Sequence, residues 1–299
     1  MGLYRNFVKS FIESKRKKYE GATGMKESVI CVEHYTKRYG TTLAVDDISF
    51  QIMPGTLVGF VGKNGAGKST TLRTFMNMIK PTSGRIRILG MDIVKDARKI
   101  KASTSYMPSE SIFYDRLKVR EVLSFCMKFS TSSMKEVEDL ATLFELDMEK
   151  RIGELSLGNR KKVSIIQALL KKSKLIILDE PTSGLDPLMQ NLFFELLLKE
   201  KEKGTTIFLS SHNLSEIEKY CDRVLIIKDG KIADDLEMSN VKIAHHQMVS
   251  YETADGKKEN YEFSGVMNDL VKELSQMNLR TLEIKNKTVE EEFIDYYKE

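Results

Sequence analysis

The nine residues from Gly62 to Thr70 constrain this chain more than any other stretch. They read Gly-Lys-Asn-Gly-Ala-Gly-Lys-Ser-Thr and lie between an apolar run, Leu57–Val61, and a segment of helical character, Thr71–Ile79. In a strand–turn–helix unit of this kind, backbone N–H groups converge at the helix N-terminus, where the helix dipole also favours an anion. The stretch therefore predicts a polyphosphate site. The alternative, an ordinary glycine-rich loop, does not explain why the whole pattern stands in the context that a phosphate loop requires.

The side chains of this loop have separate expected roles. The glycines let the backbone wrap closely around phosphates, Lys68 reaches the terminal phosphates, and the Ser69 hydroxyl helps to hold Mg²⁺. The residues assigned to nucleotide binding here are Gly62, Asn64, Gly65, Ala66, Gly67, Lys68, Ser69 and Thr70.

A second apolar run, Leu175–Leu178, ends on two carboxylates, Asp179 and Glu180. Such a run is typical of a buried strand in a parallel sheet. Asp179 can contribute to the coordination shell of Mg²⁺, and Glu180 is placed to orient a water molecule against the γ-phosphate as a general base. Two solvated acids at a strand end are the alternative, which the phosphate loop disfavours.

Three further residue groups belong to the same expected site. The predicted strand Thr205–Leu209 delivers His212 to the sheet edge where the loop and carboxylates are expected. Ser156 is predicted to cap a helix with Gly158 in its first turn, which taken alone is an ordinary N-cap. Tyr39 lies upstream of the loop, where its ring can stack on a purine; a buried structural tyrosine is the alternative.

Taken in order, these elements resemble the nucleotide-binding subunit of an ATP-binding cassette (ABC) transporter. The resemblance covers about residues 28 to 235 and rests on six ordered elements. They are Tyr39, the Walker A loop Gly62–Thr70, the serine–glycine motif Leu155–Asn159, the Walker B run Leu175–Glu180, the segment Ser183–Asp186, and His212. The resemblance implies a subunit that binds ATP and Mg²⁺ and hydrolyses ATP at the cytoplasmic face of the membrane, driving a separate membrane permease for export.

The resemblance also implies a partner and further residue roles. Family members pair head to tail, as homodimers or heterodimers, so Ser156 and Gly158 would cover the ATP held by the other subunit. Asp186 would communicate across the dimer, and His212 would hold Glu180, the water and the γ-phosphate in register. The alternative is a soluble cassette that acts on ribosomes or nucleic acid. The single cassette and near-neutral body disfavour it, and no nucleic-acid partner is expected.

Two departures from the family pattern bear on activity. Ser109 stands where the family usually carries a glutamine that touches Mg²⁺ and water; neighbouring Glu110 can substitute, because a carboxylate also reaches a metal-bound water. Leu157 and Asn159 stand where the motif usually has glycine and glutamine. Since Ser156 and Gly158 remain, we expect closure on ATP to be retained. With these two departures we expect hydrolysis to be slow.

The predicted fold class is α/β: a P-loop NTPase core with an antiparallel β subdomain and a helical insertion, plus a small C-terminal α+β domain. We predict an amphipathic basic extension at 1–24, the cassette at 25–235 with its helical insertion at about 95–171, and the accessory domain at 236–299.

The N-terminal extension carries the excess positive charge of the chain. The net charge is +4, and six Lys and Arg residues outnumber two Glu residues in the first 20 positions, so the remainder is near neutral. Apolar residues recur there at helical spacing: Leu3, Tyr4, Phe7, Val8, Phe11 and Ile12. Such a helix suits a membrane surface, contacted through residues 1–20, or a partner protein; packing on its own domain is the alternative. No window reaches the roughly 18 consecutive apolar residues of a membrane span.

Overall fold

The computed structural model describes residues 28–239, 247–263, 265 and 267–286, and within them the chain forms three β-sheets with intervening helices. The strands are β1 (Ile30–Tyr39), β2 (Thr42–Ile52), β3 (Leu57–Val61), β4 (Ser83–Ile88), β5 (Met91–Asp92), β6 (Thr104–Met107), β7 (Leu175–Asp179), β8 (Thr206–Ser211), β9 (Arg223–Lys228), β10 (Lys231–Glu237), β11 (Gln247–Thr253), β12 (Lys258–Phe263) and β13 (Leu279–Asn286). The helices are α1 (Lys68–Phe75), α2 (Ala97–Ser103), α3 (Val119–Met127), α4 (Met134–Leu143), α5 (Leu157–Leu170), α6 (Pro187–Glu202), α7 (Leu214–Tyr220) and α8 (Met267–Ser275). The predicted N-terminal helix lies outside the described residues.

The central sheet has six strands in the order β10-β9-β3-β8-β7-β6. All its neighbours from β9 to β6 are parallel, and β10 pairs antiparallel with β9 at one edge. Parallel pairing brings the carboxyl ends of β3, β7 and β8 to one edge, where a ligand site of an open α/β sheet is expected. In this register Asp179 at the end of β7 lies beside Ser210 of β8.

Both faces of the sheet are buried at β3, β7 and β8, which is why β3 and β7 are almost continuous apolar runs. Successive residues of β3 alternate between two hydrophobic clusters. Leu57 and Val61 join a cluster with residues of α5 and α6, whereas Val58 and Phe60 join one with residues of β1, β2 and α1. The sheet is thereby fixed between α5 and α6 on one face and the antiparallel β layer with α1 on the other.

Phe208 of β8 lies in an aromatic group within the second cluster. Its ring centroid is 6.2 Å from that of Phe50, 5.4 Å from Phe60 and 5.6 Å from Phe75. These four residues come from β8, β2, β3 and α1, so one buried group joins the β layer, the central sheet and the helix that follows the phosphate loop.

The predicted antiparallel β subdomain and small α+β unit are both present. Strands β2-β1-β4-β5 form an antiparallel sheet, in which Ile30 pairs with Ile52 and with Ile88. Strands β12-β11-β13 form a separate antiparallel sheet, with Val249 of β11 and Leu270 of α8 in its core. No helix in the described part of the chain combines the length and apolarity that crossing a membrane requires.

Two predicted elements differ from the structure. The stretch predicted as helical, about 95–171, contains α2, α3, α4 and α5, but Thr104–Met107 forms the edge strand β6 of the central sheet. A four-residue strand is too short to give a periodic signal. The helix predicted at Thr71–Ile79 begins at Lys68 and ends at Phe75, because Asn77 adopts a left-handed backbone (φ 45°) that stops it.

Phe208→Ala should lower the free energy of unfolding by about 3–5 kcal/mol, because it opens a cavity in the aromatic group. Phe129→Ala, at a side chain that is 68% exposed, is the matched control and should change it by less than about 0.5 kcal/mol. Guanidinium-induced unfolding measures both. Equal losses in the two variants would contradict the central place given to Phe208.

Candidate active site

The loop between β3 and α1 has a backbone that only glycine adopts without strain or collision. Gly65 and Gly67 have φ values of 85° and 108°. A Cβ atom on Gly67 would lie 2.6 Å from the carbonyl oxygen of Ala44, and one on Gly62 would lie 2.4 Å from that of Ile227. The loop is therefore packed against neighbouring backbone, and α1 begins directly after it.

Lys68, the first residue of α1, is buried beneath this loop. Its Nζ donates to the carbonyl oxygens of Gly62 at 2.5 Å and Lys63 at 3.3 Å, and it lies 3.3 Å from Oε1 of Glu180. The loop carbonyls and the carboxylate thus hold one ammonium group where the predicted phosphates would bind.

Asp179 is fully buried and accepts hydrogen bonds through one oxygen only. Its Oδ1 accepts from Ser69 Oγ at 3.0 Å and from Ser210 Oγ at 2.7 Å. Its Oδ2 is also buried but has no hydrogen-bond partner. An unpaired buried carboxylate oxygen is costly. The Asp179 and Ser69 oxygens together make a donor set that suits Mg²⁺.

Glu180 directly follows β7 and has a left-handed backbone (φ 48°), a conformation that costs a residue with a side chain about 1–2 kcal/mol. This conformation is stabilised by two hydrogen bonds from the N–H of Glu180, to the carbonyl oxygen of Ser210 at 3.2 Å and to the Ser210 hydroxyl at 3.0 Å. Its Oε2 lies 2.7 Å from Nδ1 of His212. The predicted base thus has a cation, Lys68, on one oxygen and an imidazole on the other. Strained backbone of this kind is common at functional sites.

The predicted capping role of Ser156 is confirmed, because it is the N-cap of α5 and its Oγ accepts from the N–H of Asn159 at 3.3 Å. The unusual Leu157 lies on the surface, 84% exposed. A Cβ atom on Gly158, in contrast, would lie 2.9 Å from the carbonyl oxygen of Gly184. The structure therefore accommodates a side chain at position 157 but not at position 158.

Two other predicted residues lie near helix or strand ends. Asp186 is the N-cap of α6 and accepts from the N–H of Met189 at 3.0 Å. Tyr39, at the end of β1, is 46% exposed, and the Nζ of Lys37 lies 4.8 Å from its ring centroid. The alternative of a buried structural tyrosine is wrong, and stacking on a purine stays a prediction.

The segment after β6 is tied to the serine–glycine helix by a lysine that the sequence analysis missed. Lys161 is buried on α5, and its Nζ donates to the carbonyl oxygen of Ser109 at 2.8 Å. Burial lowers the pKa of Lys161, against the raising effect of the charges on Asp179, Glu180 and Glu110. Glu110 itself is exposed, so its contact with a metal stays a prediction.

Ser210 is the second residue that sequence analysis missed. Its hydroxyl donates to the carboxylate of Asp179, and its hydroxyl and carbonyl oxygens accept from the backbone N–H of Glu180. The available signal was its place directly after the predicted strand Thr205–Leu209, two residues before His212.

Comparisons with known proteins agree with this geometry. Residues 45–183 match the family model of the ABC transporter. The chain is 36% identical over 239 residues to the bacitracin transport ATP-binding protein BcrA of Bacillus licheniformis, with 77% of each chain covered. It resembles the solved structure of an ATP-binding subunit of an ABC transporter, at 29% identity and a TM-score of 0.67, over 72% of this chain and 92% of that one. It also resembles CbiO1 of Clostridium perfringens, described as part of the ABC transporter complex CbiONQ, at 28% identity and a TM-score of 0.61, over 73% and 92%.

Lys68→Met should weaken ATP binding by about ten- to a hundredfold, because hydrogen bonds to a charged group contribute about 1.5–3 kcal/mol. Titration with a fluorescent ATP analogue measures the affinity. Lys171→Met is the matched control. The Nζ of Lys171 also donates to two carbonyl oxygens, of Lys101 and Thr104, but these lie at the start of β6, away from the sheet edge that carries the site. Unchanged affinity in the Lys68 variant would contradict its place in the phosphate site.

Proposed function

This chain belongs to the family of ABC transporter ATP-binding proteins, and from that premise we propose that it drives a separate membrane permease in the direction of export. The resemblance drawn from six sequence elements is thereby confirmed, and with it ATP binding and ATP hydrolysis as the activity. The proposed hydrolytic mechanism rests on the position of Glu180, whose carboxylate lies between Lys68 and His212. The proposed transport role rests on the similarity to BcrA, a bacitracin transport ATP-binding protein. The permease, the direction of transport and the individual residue roles are the proposed part.

In the proposed reaction Glu180 acts as the general base. The loop N–H groups and Lys68 bind the β- and γ-phosphates of ATP. A water oxygen attacks the γ-phosphorus as the bond to the ADP oxygen breaks, and the carboxylate of Glu180 accepts a proton from that water. His212 keeps the carboxylate aimed at the water. Its exposed position leaves the imidazole open to the γ-phosphate side.

Asp179 and Ser69 would hold Mg²⁺ in this reaction. The orphaned Oδ2 of Asp179 is the observation that favours a cation there. When bound, Mg²⁺ neutralises charge on the phosphate oxygens. Glu110 is the candidate in place of the usual glutamine, and its charge would alter the coupling to the permease.

The second proposed partner is another cassette subunit, paired head to tail. Ser156 lies on the surface of its own subunit, and its partners there are in α5 rather than in the phosphate loop. The first turn of α5 is therefore free to approach a phosphate from another chain, which the N-terminus of a helix suits. Asp186 lies on the same part of the molecule, because Gly184 contacts Gly158.

The proposed permease surface lies between residues 112 and 129. Large apolar side chains are exposed at Ile112, Tyr114, Phe125 and Phe129. The rings of Phe125 and Phe129 lie 5.4 Å apart, so they form one patch. Contiguous exposed apolar patches are typical of interaction sites. The transport role of BcrA and the assembly of CbiO1 into a transporter complex support a permease as the occupant.

Glu180→Gln should keep ATP binding but slow phosphate release by about a hundredfold or more, because the amide cannot accept the proton. Gel filtration with ATP should then show an accumulated dimer. Glu218→Gln, a change of the same kind outside the site, is the control and should leave turnover unchanged. Undiminished hydrolysis would remove Glu180 as the base.

A pull-down tests the permease. The Glu180→Gln chain with ATP, used as bait for detergent-solubilised native membranes, should recover a polytopic membrane protein. Adding Phe125→Ser and Phe129→Ser should abolish that recovery while ATP binding stays intact. Leu282→Ser, at an exposed leucine of the C-terminal sheet, is the matched control. Recovery of ribosomes or nucleic acid instead would favour the soluble-cassette alternative.

A further inference from the structure

Glu216 of α7 is a buried carboxylate with no place in the proposed chemistry. Glu216 is only 8% exposed, and burial raises the pKa of its carboxyl group. Thr182 Oγ1 donates to its Oε2 at 2.8 Å, and its own N–H donates to the side chain of Asn213, the N-cap of α7. Because burying a carboxyl group is costly, the Thr182 bond calls for an explanation.

The Thr182–Glu216 bond repeats, further from the sheet, the connection made by the catalytic pair. β7 and β8 are parallel neighbours, and the segments that leave them stay joined past the sheet edge. The first connection is Glu180 to His212 at 2.7 Å, and the second is Thr182 to Glu216 at 2.8 Å. Two connections between the same segments restrict rotation that a single one would allow.

Thr182 also begins the turn that leads to Asp186. The N–H of Leu185 donates to the carbonyl oxygen of Thr182 at 3.0 Å. From α6, Nε2 of Gln190 donates to the carbonyl oxygens of Leu185 at 3.1 Å and Thr182 at 3.4 Å. The turn is thus held at its start by Glu216 and along its length by Gln190.

We propose that Glu216 is a positioning residue that, through Thr182, holds the segment 182–186 and His212 as one unit. The general base and Asp186 then keep a fixed relation, so the proton-accepting oxygen and the segment expected to face the second subunit move together. This inference rests on the proposed function, in which Glu180 is the base held by His212.

Glu216→Leu in the full chain should lower kcat for ATP hydrolysis about tenfold, because displacing a catalytic group by a fraction of an ångström has effects of this order. The Kd for ATP should not change, since the phosphate loop is untouched. Glu216→Gln should retain a kcat close to that of the wild type, because the amide oxygen accepts the same bond from Thr182. Glu218→Leu, on the same helix but partly exposed, is the matched control and should behave as wild type.

Thr182→Val removes the same hydrogen bond from the other side and should lower kcat to a similar degree. In the double variant with Glu216→Leu, kcat should equal that of whichever single variant has the lower kcat. The losses caused by two residues that act through one contact are not additive. Wild-type kcat in Thr182→Val would overturn the proposal even if Glu216→Leu fails to fold.

The remaining outcomes are distinguishable. Multiplied losses in the double variant, or reduced ATP binding with kcat unchanged, would overturn the positioning role alone. A wild-type chain that binds ATP without hydrolysing it would overturn the proposed function and this inference with it.

Discussion

The hydrogen bonds that Asp179 accepts from Ser69 and Ser210 are the contacts on which the site depends. They join the end of β7 to Ser69, which is 110 positions away in the chain, and to Ser210, which is 31 positions away. They form because parallel pairing of β3, β7 and β8 brings three carboxyl ends to one edge, and because hydrophobic clusters cover both faces of the sheet. The burial that stabilises the sheet also removes Asp179 from water, which leaves its second oxygen buried without a hydrogen-bond partner.

The neighbouring carboxylates at the end of β7 have different surroundings, which fits the different roles that we propose for them. Asp179 continues the strand and points among hydroxyl groups in the interior. Glu180 leaves the strand in a left-handed conformation, which turns its side chain toward Lys68 and His212. One residue suits a fixed ligand and the other suits proton transfer, and the change of backbone conformation between them separates the two functions.

The parts of the structure that could be predicted from the sequence are those whose signal lies in a short run of consecutive residues. The phosphate loop, the apolar run before Asp179 and the cap at Ser156 each carry their signal locally, and the structure contains them at those positions. Strand β6 was missed because four residues give no periodicity and its place is set by pairing with β7. The contacts of Lys161 and Glu216 could not be predicted, since each joins segments that meet only after the sheet has formed.

The close approach of Gly158 to Gly184 gives the two positions of the serine–glycine motif unequal freedom. Position 158 is fixed by backbone contact, whereas Leu157 projects from the first turn of α5, 84% exposed. Position 157 is therefore a suitable attachment point for a spectroscopic label, since a dye carried there through Leu157→Cys would leave the contact beneath it intact. Its emission would change when this face loses contact with water, so the closing movement could be followed in real time.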